Sequence, residues 1–305
     1  MIMDDLIIIG AGPAGLTAAI YAARFKLKVR IFEKFSWGGQ ILLSPSIENY
    51  PGFPEGISTA ELMDRFKKQV DSLGLPIENR NVINIEANSQ GYGVKAESEL
   101  FNTKTVIIAS GAASKRLGVE GEEKFIGRGV SYCGTCDGPL FKGKDIAVIG
   151  GGDRAIEDAI FLSSYAKTLY LIHRRSEFRA SGILVEKARR IKNIQFVLDS
   201  VAEEVCGSNR VESVSVRNLK NQTVSQILCQ GVFIFVGITP NTEFVKGLLD
   251  RDESGFIITN QQMGTSKEGV FACGDCVKKS LYQVISACGE GAVAADSAHK
   301  YILNQ

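Results

Sequence analysis

The sequence predicts an α/β protein built from two Rossmann-like domains. Short apolar runs alternate with glycine turns and amphipathic segments along the whole chain, as expected for strands and helices in alternation. A glycine turn between a strand and a helix occurs twice, and this unit binds dinucleotides in doubly wound folds. Two copies therefore indicate two nucleotide-binding domains.

The first copy opens the chain. LIIIG at 6–10 is a predicted strand, GPAGLTAAIYAARF at 12–25 a predicted helix with small residues facing the sheet, and KVRIFEK at 28–34 the next predicted strand. The turn Gly10-Ala11-Gly12-Pro13-Ala14-Gly15 is a GxGxxG motif, whose glycines allow a tight turn and the close approach of a pyrophosphate to the helix N-terminus. Glu33 closes the second strand, where a carboxylate can accept hydrogen bonds from ribose hydroxyls.

The second copy differs at the ribose position. DIAVIGGGD (145–153), RAIEDAIFLSSYA (154–166) and TLYLIHRR (168–175) repeat the order strand, turn, helix, strand. Its turn, Gly150-Gly151-Gly152-Asp153-Arg154-Ala155, is a GxGxxA motif, and basic residues replace the acid: His173, Arg174, Arg175 and then Arg179. Arginines bind a 2′-phosphate as bidentate forks, whereas a carboxylate would repel it. The two sites therefore predict FAD in the first domain and NADPH in the second, unless the arginines are only a solvated strand end.

Further segments complete the predicted fold. FNTKTVIIASG (101–111) and QGVFIFVGITP (230–240) each contain a strand followed by a glycine, and GVFACGD (269–275) is a short strand ending on Gly–Asp. A last helix is expected from about Gln283 to Leu303.

Composition narrows the classes of function. The 305 residues carry a net charge of +1 and are 45% hydrophobic, so the chain can form sizeable cores and has no global field for nucleic acid or an acidic membrane surface. We expect no membrane span, and the N-terminus MIMDDLIIIGAG does not resemble a signal peptide. Seven cysteines, an odd number mostly scattered singly, favour a reducing cytoplasm over a secreted disulfide framework.

One cysteine pair is a candidate redox centre. Cys133 and Cys136 form a CxxC motif that Asp137 follows directly. The two dinucleotide motifs supply what a dithiol relay would need, although a static disulfide or two buried thiols would have the same spacing. The only histidines are His173 and His299, and neither lies beside a cysteine, so we expect no metal site.

The chain resembles the low-molecular-weight thioredoxin reductases. The resemblance covers essentially the whole chain, and its motifs are specific through their order and spacing: GAGPAG at 10–15, GGQ at 38–40, ENYPG at 48–52, ASGA at 109–112, CGTCDG at 133–138, GGGDRA at 150–155, HRRSEFRAS at 173–181, GITPNT at 237–242 and GVFACGD at 269–275.

The resemblance implies an NADPH domain inserted into an FAD domain. The boundaries would be 1–114 for the first part of the FAD domain, 115–241 for the NADPH domain with its CxxC, and 242–305 for the second part of the FAD domain. It implies that Asp275 binds the ribityl chain, that Gln283 lies near the flavin ring and that Gln40 and Asn49 lie along the isoalloxazine. Through the shared motifs it adds the remaining cofactor-binding residues Pro13, Ala14, Gly39, Ala109, Gly111, Gly274 and Asp153.

The resemblance also implies an activity. Electrons would pass from NADPH through FAD to the Cys133–Cys136 disulfide and then to thioredoxin, with Asp137 moving the accompanying proton and Cys133 facing the partner. A homodimer is implied by the family alone. The alternatives are reduction of another disulfide carrier, a different donor such as ferredoxin, or a flavin-binding redox sensor without turnover.

The chain differs from the family pattern at Arg154 and carries a second CxxC motif. Arg154 stands where the family usually has a small hydroxyl residue, and it would either add a phosphate contact or obstruct the nucleotide. A second CxxC, Cys273 and Cys276, overlaps the Gly–Asp turn; we interpret both as core residues. Three further thiols, Cys206, Cys229 and Cys288, are expected to have no redox role.

Overall fold

The chain forms two compact units. The structure, a computed structural model, describes residues 3–43, 46–47 and 49–305, and for Leu43, Thr135 and Cys136 it describes no side chain. The first unit takes in most of the chain up to Ala113 and all of it from Thr239 onward, and the second comprises Ser114–Ile238. The second unit is therefore inserted into the first.

Both units contain helices and strands. In the stretch up to the insertion they are β1 (Asp4–Ile9), α1 (Pro13–Arg24), β2 (Val29–Glu33), β3 (Ser46–Ile47), β4 (Ile57–Ser58), α2 (Thr59–Ser72), β5 (Ile77–Asn79), β6 (Val82–Asn88), β7 (Gly91–Ala96), β8 (Glu99–Ile108) and β9 (Ala112–Ser114). The inserted unit contains β10 (Val130–Ser131), α3 (Gly134–Asp137), β11 (Asp145–Gly150), α4 (Asp153–Ser163), β12 (Thr168–Ile172), α5 (Gly182–Arg189), β13 (Ile194–Val197), β14 (Ser200–Cys206), β15 (Ser213–Asn218), β16 (Val224–Leu228) and β17 (Gly231–Phe235). The chain then continues with β18 (Ile238–Pro240), β19 (Val270–Ala272) and α6 (Val284–Leu303).

A seven-stranded sheet organises the first unit. Its order is β5-β2-β1-β8-β7-β6, and β19 pairs with the end of β8. The strands β5, β2, β1, β8 and β19 are parallel, whereas β7 runs antiparallel to β8 and β6. Because β1 is buried on both faces, its residues 6–9 form a continuous apolar run.

Two helices made largely of small residues pack closely in this unit. Helix α1 begins at Pro13 and buries Ala14, Gly15, Ala18 and Ala22, among others. Helix α6 lies against it: a Cβ on Gly291 would come within 2.3 Å of the Ala14 carbonyl oxygen. The first and last helices of the chain therefore share one core.

A five-stranded parallel sheet organises the second unit. Its order is β10-β17-β11-β12-β13, and helices α4 and α5 pack beside it. A separate antiparallel sheet, β14-β15-β16, covers its other side through the apolar residues of a shared core. The connecting strands β9 and β18 pair with each other. These sheets confirm the predicted pair of Rossmann-like domains.

The described residues contain neither a membrane-spanning helix nor a metal-binding cluster. None of their helices is long and apolar enough to cross a membrane. Within the same residues, no group of three or more His, Cys, Asp or Glu side chains could hold a metal ion.

Candidate active site

The first glycine turn has the geometry of a dinucleotide cradle. Gly10 has φ +111°, and a Cβ there would meet the Ala109 carbonyl oxygen at 2.2 Å. A Cβ on Gly15 would meet the Gly10 carbonyl oxygen at 1.9 Å, so both positions require glycine for close packing. Gly12 caps α1 without any side-chain hydrogen bond, and among the described residues a Cβ on it would have only Gly39 within 4 Å, at 3.9 Å. The amide groups at the start of α1 are therefore suited to a phosphate.

Glu33 connects the end of β2 to this turn. Its Oε2 accepts a hydrogen bond from the Ala11 amide at 2.8 Å, and its Oε1 accepts one from the Phe35 amide at 3.1 Å. A cleft of about 350 Å³ lies beside the carboxylate and is lined by Phe35, Ser36, Trp37, Lys67, Asp71, Pro76, Ile77 and Asn79. The cleft and its aromatic residues were not predicted, because no motif marks the segment after Glu33.

The last part of the chain returns to the same turn. Gly274 has φ +77°, and a Cβ there would lie 2.8 Å from the Ala14 Cβ. The amide of Asn49 donates to the Gln283 Oε1 at 3.1 Å, so two residues predicted at the flavin are in contact although 234 positions separate them. Of the others, Gln40 is exposed, Ala109 is buried and Gly111 is half-buried.

Two residues without a motif hold the Gly–Asp turn. Glu290 accepts the Gly274 amide hydrogen bond at 2.8 Å and an ion pair from Lys279 at 2.9 Å. Lys279 also lies 3.4 Å from Asp275 Oδ1. Asp275 is thereby oriented from one side while it remains partly exposed. Only the folded chain brings these three charges together, so sequence reasoning missed Glu290 and Lys279.

The ring of His173 packs against the second glycine turn. A Cβ on Gly151 would come within 2.2 Å of the His173 ring. That ring is buried, stacks on Phe178 and has its Nε2 3.1 Å from the Glu177 carbonyl oxygen. Burial lowers the pKa of His173, and the neighbouring arginines lower it further. His173 is therefore a neutral support for the turn.

The arginines surround this turn with their side chains exposed. Arg174 and Arg175 follow His173 directly, and the Arg179 amide donates to the Gly151 carbonyl oxygen at 2.8 Å. Within the described part of the chain, no carboxylate pairs with any of the three. Gly152 caps α4 without a side-chain bond and has an open face, and Asp153 accepts from the Ser181 amide at 2.7 Å. The arrangement suits a nucleotide that carries an additional phosphate.

The tight packing of this turn explains its last alanine. A Cβ on Gly150 would come within 2.5 Å of the Phe235 carbonyl oxygen and 2.6 Å of the Ala155 Cβ. Position 155 thus tolerates a methyl group only because position 150 has none.

Arg154 reaches away from the glycine turn. Its Nη2 donates to the Tyr132 carbonyl oxygen at 3.1 Å and its Nη1 to the Ser114 hydroxyl at 3.3 Å. Its guanidinium carbon lies 5.4 Å from the centre of the Phe235 ring. In this structure the side chain therefore contacts the residue that precedes Cys133.

Cys133 is disulfide-bonded and half-buried. Its amide donates to the Ser131 hydroxyl oxygen at 3.0 Å, and that hydroxyl donates to the Cys133 carbonyl at 3.2 Å. Helix α3 follows, and the Asp137 amide donates to the Cys133 carbonyl at 3.3 Å. The predicted second sulfur, that of Cys136, lies outside the described side chains. Asp137 is half-buried at the end of the same helix turn.

An unpredicted polar cluster holds the residue before Cys133. The Tyr132 hydroxyl donates to Glu122 and accepts from Arg116 at 3.2 Å. Burial, together with Glu122, raises the pKa of Tyr132 to about 12. Burial alone would raise the pKa of Glu122, but its hydrogen bonds from Tyr132 and from the Leu117 and Gly118 amides outweigh it and lower that pKa. Tyr132 is therefore a neutral donor to a charged, buried acceptor.

The remaining cysteines are free, and all but the half-buried Cys206 are buried. They are Cys206, Cys229, Cys273, Cys276 and Cys288. Cys273 and Cys276 are fully buried, and burial raises the pKa of Cys276 to about 11 and that of Cys273 well above its usual range. Since the thiolate is the reactive form, the second CxxC is an inert part of the core.

Comparison with known proteins identifies the family. Residues 4–291 match the family model for pyridine nucleotide-disulphide oxidoreductases. The chain is 41% identical over 304 residues to a thioredoxin reductase of Mycolicibacterium smegmatis, covering 99% of this chain and 98% of that protein. The chain belongs to the thioredoxin reductase family. Membership makes it an oxidoreductase that uses a flavin and a pyridine nucleotide.

Solved thioredoxin reductases agree with this assignment. The structure of the Lactococcus lactis thioredoxin reductase in its FR conformation matches with a TM-score of 0.97 and 40% identity, covering 99% of this chain and 100% of that one. A ferredoxin-flavin thioredoxin reductase of Clostridium acetobutylicum matches with a TM-score of 0.55 and 33% identity, covering 99% of both chains. The resemblance inferred from the motifs is thereby confirmed.

Proposed function

We propose that the protein transfers electrons from NADPH, through FAD, to the disulfide of thioredoxin. The observation that supports this most directly is the disulfide at Cys133, at the start of a helix turn that ends in Asp137, within the unit that carries the arginine-flanked glycine turn. The relatives named thioredoxin reductase over the full chain support the same partner. We further propose a cytoplasmic homodimer.

The residues of the first unit fit FAD. The glycine turn leaves Gly12 open toward a phosphate, Glu33 lies at the ribose position, and Asp275 is held beside the start of α1 by Gly274. When bound, FAD would supply the hydride-accepting chemistry that links a nicotinamide to a disulfide.

The chain's own residues perform the remaining steps. Arg174, Arg175 and Arg179 bind the 2′-phosphate that distinguishes NADPH from NADH. The Cys133–Cys136 disulfide takes up two electrons and two protons and becomes a dithiol, with Asp137 moving a proton as the sulfur–sulfur bond breaks. The Cys133 thiolate attacks the partner disulfide to form a mixed disulfide, and Cys136 resolves it.

An anaerobic titration tests the proposal. NADPH should bleach the flavin absorbance of the purified protein, and oxidised thioredoxin should restore it while gaining two thiols per molecule. If reduced ferredoxin bleached the flavin and NADPH did not, the donor assignment would be wrong. If NADPH bleached the flavin and only a different disulfide carrier reoxidised it, the partner assignment would be wrong. A flavin that neither donor bleaches would favour a redox sensor.

A further inference from the structure

Helix α3, which follows Cys133 directly, lies on helix α4. A Cβ on Gly134, the first residue of α3, would be 2.4 Å from Asp158 Oδ1. A Cβ on Gly138, four residues later, would be 2.9 Å from the Leu162 side chain. The two glycines share one face of the segment and allow it to approach α4 closely. The carboxyl of Asp158 therefore contacts the backbone of the turn that begins after Cys133.

Asp158 is a buried carboxyl on the face of α4 that meets α3. The residue is 1% exposed, and neither of its carboxyl oxygens has a hydrogen-bond partner within the described residues. The nearest cation is Arg154, whose Nε lies 3.7 Å from Asp158 Oδ2, which is an ion pair without a hydrogen bond. A buried carboxyl left in this state is costly to a fold, so its retention invites a functional explanation.

The charges that act on Asp158 lie on its own helix, where Arg154 favours the ionised carboxyl and Glu157 opposes it. The segment that faces it carries the titratable residues Cys133, Cys136 and Asp137, although the Cys136 side chain is not described. Burial is the largest influence and raises the pKa of Asp158 to about 7, against the partial compensation from Arg154. The carboxyl therefore changes charge near neutral pH.

Arg154 connects this carboxyl to the residue before Cys133. It donates to the Tyr132 carbonyl at 3.1 Å while its Nε faces Asp158. Asp158 thus contacts Gly134, just after Cys133, and Arg154 contacts Tyr132, just before it.

We propose that Asp158 is a positioning residue of the redox pair, whose carboxyl beneath α3 sets how readily the sulfurs of that turn lose their protons. The inference rests on the proposed function in taking Cys133 and Cys136 as the working pair. An ionised Asp158 opposes a second negative charge on a nearby sulfur and so raises the pKa of that thiol, and the thiolate in turn raises the pKa of Asp158. A dithiol held in its protonated form is a stronger reductant than one stabilised as thiolate.

The test compares the pH dependence of thiol reactivity. The holoprotein is reduced with dithiothreitol, and alkylation of Cys133 by iodoacetamide is followed by mass spectrometry from pH 6 to pH 9. At pH 6 Asp158 is protonated, so wild type and Asp158→Asn should react equally fast. At pH 8 the ionised Asp158 raises the pKa of the wild-type thiol by about one unit. Cys133 should therefore be alkylated about three- to tenfold faster in the variant. The lower figure allows for the weaker nucleophilicity of a more acidic thiol.

A matched variant controls for loss of charge. Asp145→Asn removes another partly unpartnered carboxylate of the same unit, at the opposite end of β11 from the glycine turn, and its profile should follow the wild type. Superimposable profiles for wild type and Asp158→Asn would overturn the proposal. So would a rate difference of the same size at pH 6 and pH 8, because a purely structural change does not follow the carboxyl's titration.

A second measurement needs no variant. Infrared difference spectra of the oxidised and reduced wild-type protein at pH 8, where a thiolate begins to form on reduction, should show a protonated-carboxyl band that grows on reduction. A band unchanged between the two redox states would contradict the coupling even if Asp158→Asn failed to fold. Neither experiment uses NADPH or thioredoxin, so failure of the proposed function would leave both results interpretable.

Discussion

Neutralising two exposed arginines should remove the preference for NADPH. Arg174 and Arg175 follow the buried His173 and are exposed next to the second glycine turn. Because no described carboxylate pairs with them, their charges are available for a phosphate. A charge-assisted hydrogen bond contributes about 1.5–3 kcal/mol, and we take the lower value for exposed side chains. At about 1.4 kcal/mol per tenfold, the double change Arg174→Gln/Arg175→Gln should lower kcat/KM for NADPH by about 10²-fold.

The assay measures kcat/KM for NADPH and NADH at constant ionic strength. NADH has no 2′-phosphate, so its value should change by less than about threefold in the double variant. Arg189→Gln/Arg190→Gln is the matched control, since it removes the same charge from exposed arginines at the end of α5. Equal use of both nucleotides by the wild type, or an unchanged preference in the double variant, would refute the reasoning.

Three further predictions concern the redox unit. Cys133→Ser and Cys136→Ser should both abolish multiple turnover, and mass spectrometry should find a trapped mixed disulfide with thioredoxin only in Cys136→Ser, through Cys133; a partner trapped only through Cys136 would reverse the roles. Asp137→Asn should keep the disulfide and slow turnover by about 10²–10⁴-fold, and unchanged turnover with thioredoxin would exclude Asp137 as the proton carrier. The pKa of Asp158 is about 7 in the folded protein, above its usual value of 3.8. The free energy of unfolding is therefore unaffected by this group below pH 3.8, and it falls by up to about 4 kcal/mol as the pH rises to 7. The melting temperature of the wild type should therefore fall relative to Asp158→Asn between pH 5 and pH 8, and a constant difference would contradict the assigned pKa.

The parallel strands and glycine turns could be predicted because their patterns are local. Residues 6–9 of the buried strand β1 form a continuous apolar run. The turn after β1 requires glycine at Gly10 and Gly15 for steric reasons, and the motif already specifies both glycines. Prediction placed the first helix at 12–25, and the structure has α1 at Pro13–Arg24. Such elements depend on neighbours in sequence.

Other features depend on contacts between distant residues. The antiparallel sheet β14-β15-β16 was not predicted, since β16 is mostly exposed and lacks a regular apolar pattern. Glu290 reaches Gly274, and Glu122 reaches Tyr132, only after folding. The burial of Asp158 could not be predicted either, because the sequence shows only an acidic residue in an amphipathic helix and does not show that α3 covers it.

The close packing of α6 on α1 has a consequence for biosynthesis. Residues 114–238 of the second unit are continuous in sequence and can fold as soon as they leave the ribosome, whereas the first unit lacks the helix that packs on α1 until Gly291 has been synthesised. At roughly 5–20 residues per second, the ribosome needs about 10–40 s to travel from the end of the first stretch to the C-terminus. During that interval the small-residue face of α1 stays uncovered on the nascent chain. Truncations that remove α6 should therefore leave the inserted unit folded and the first unit a substrate for chaperones.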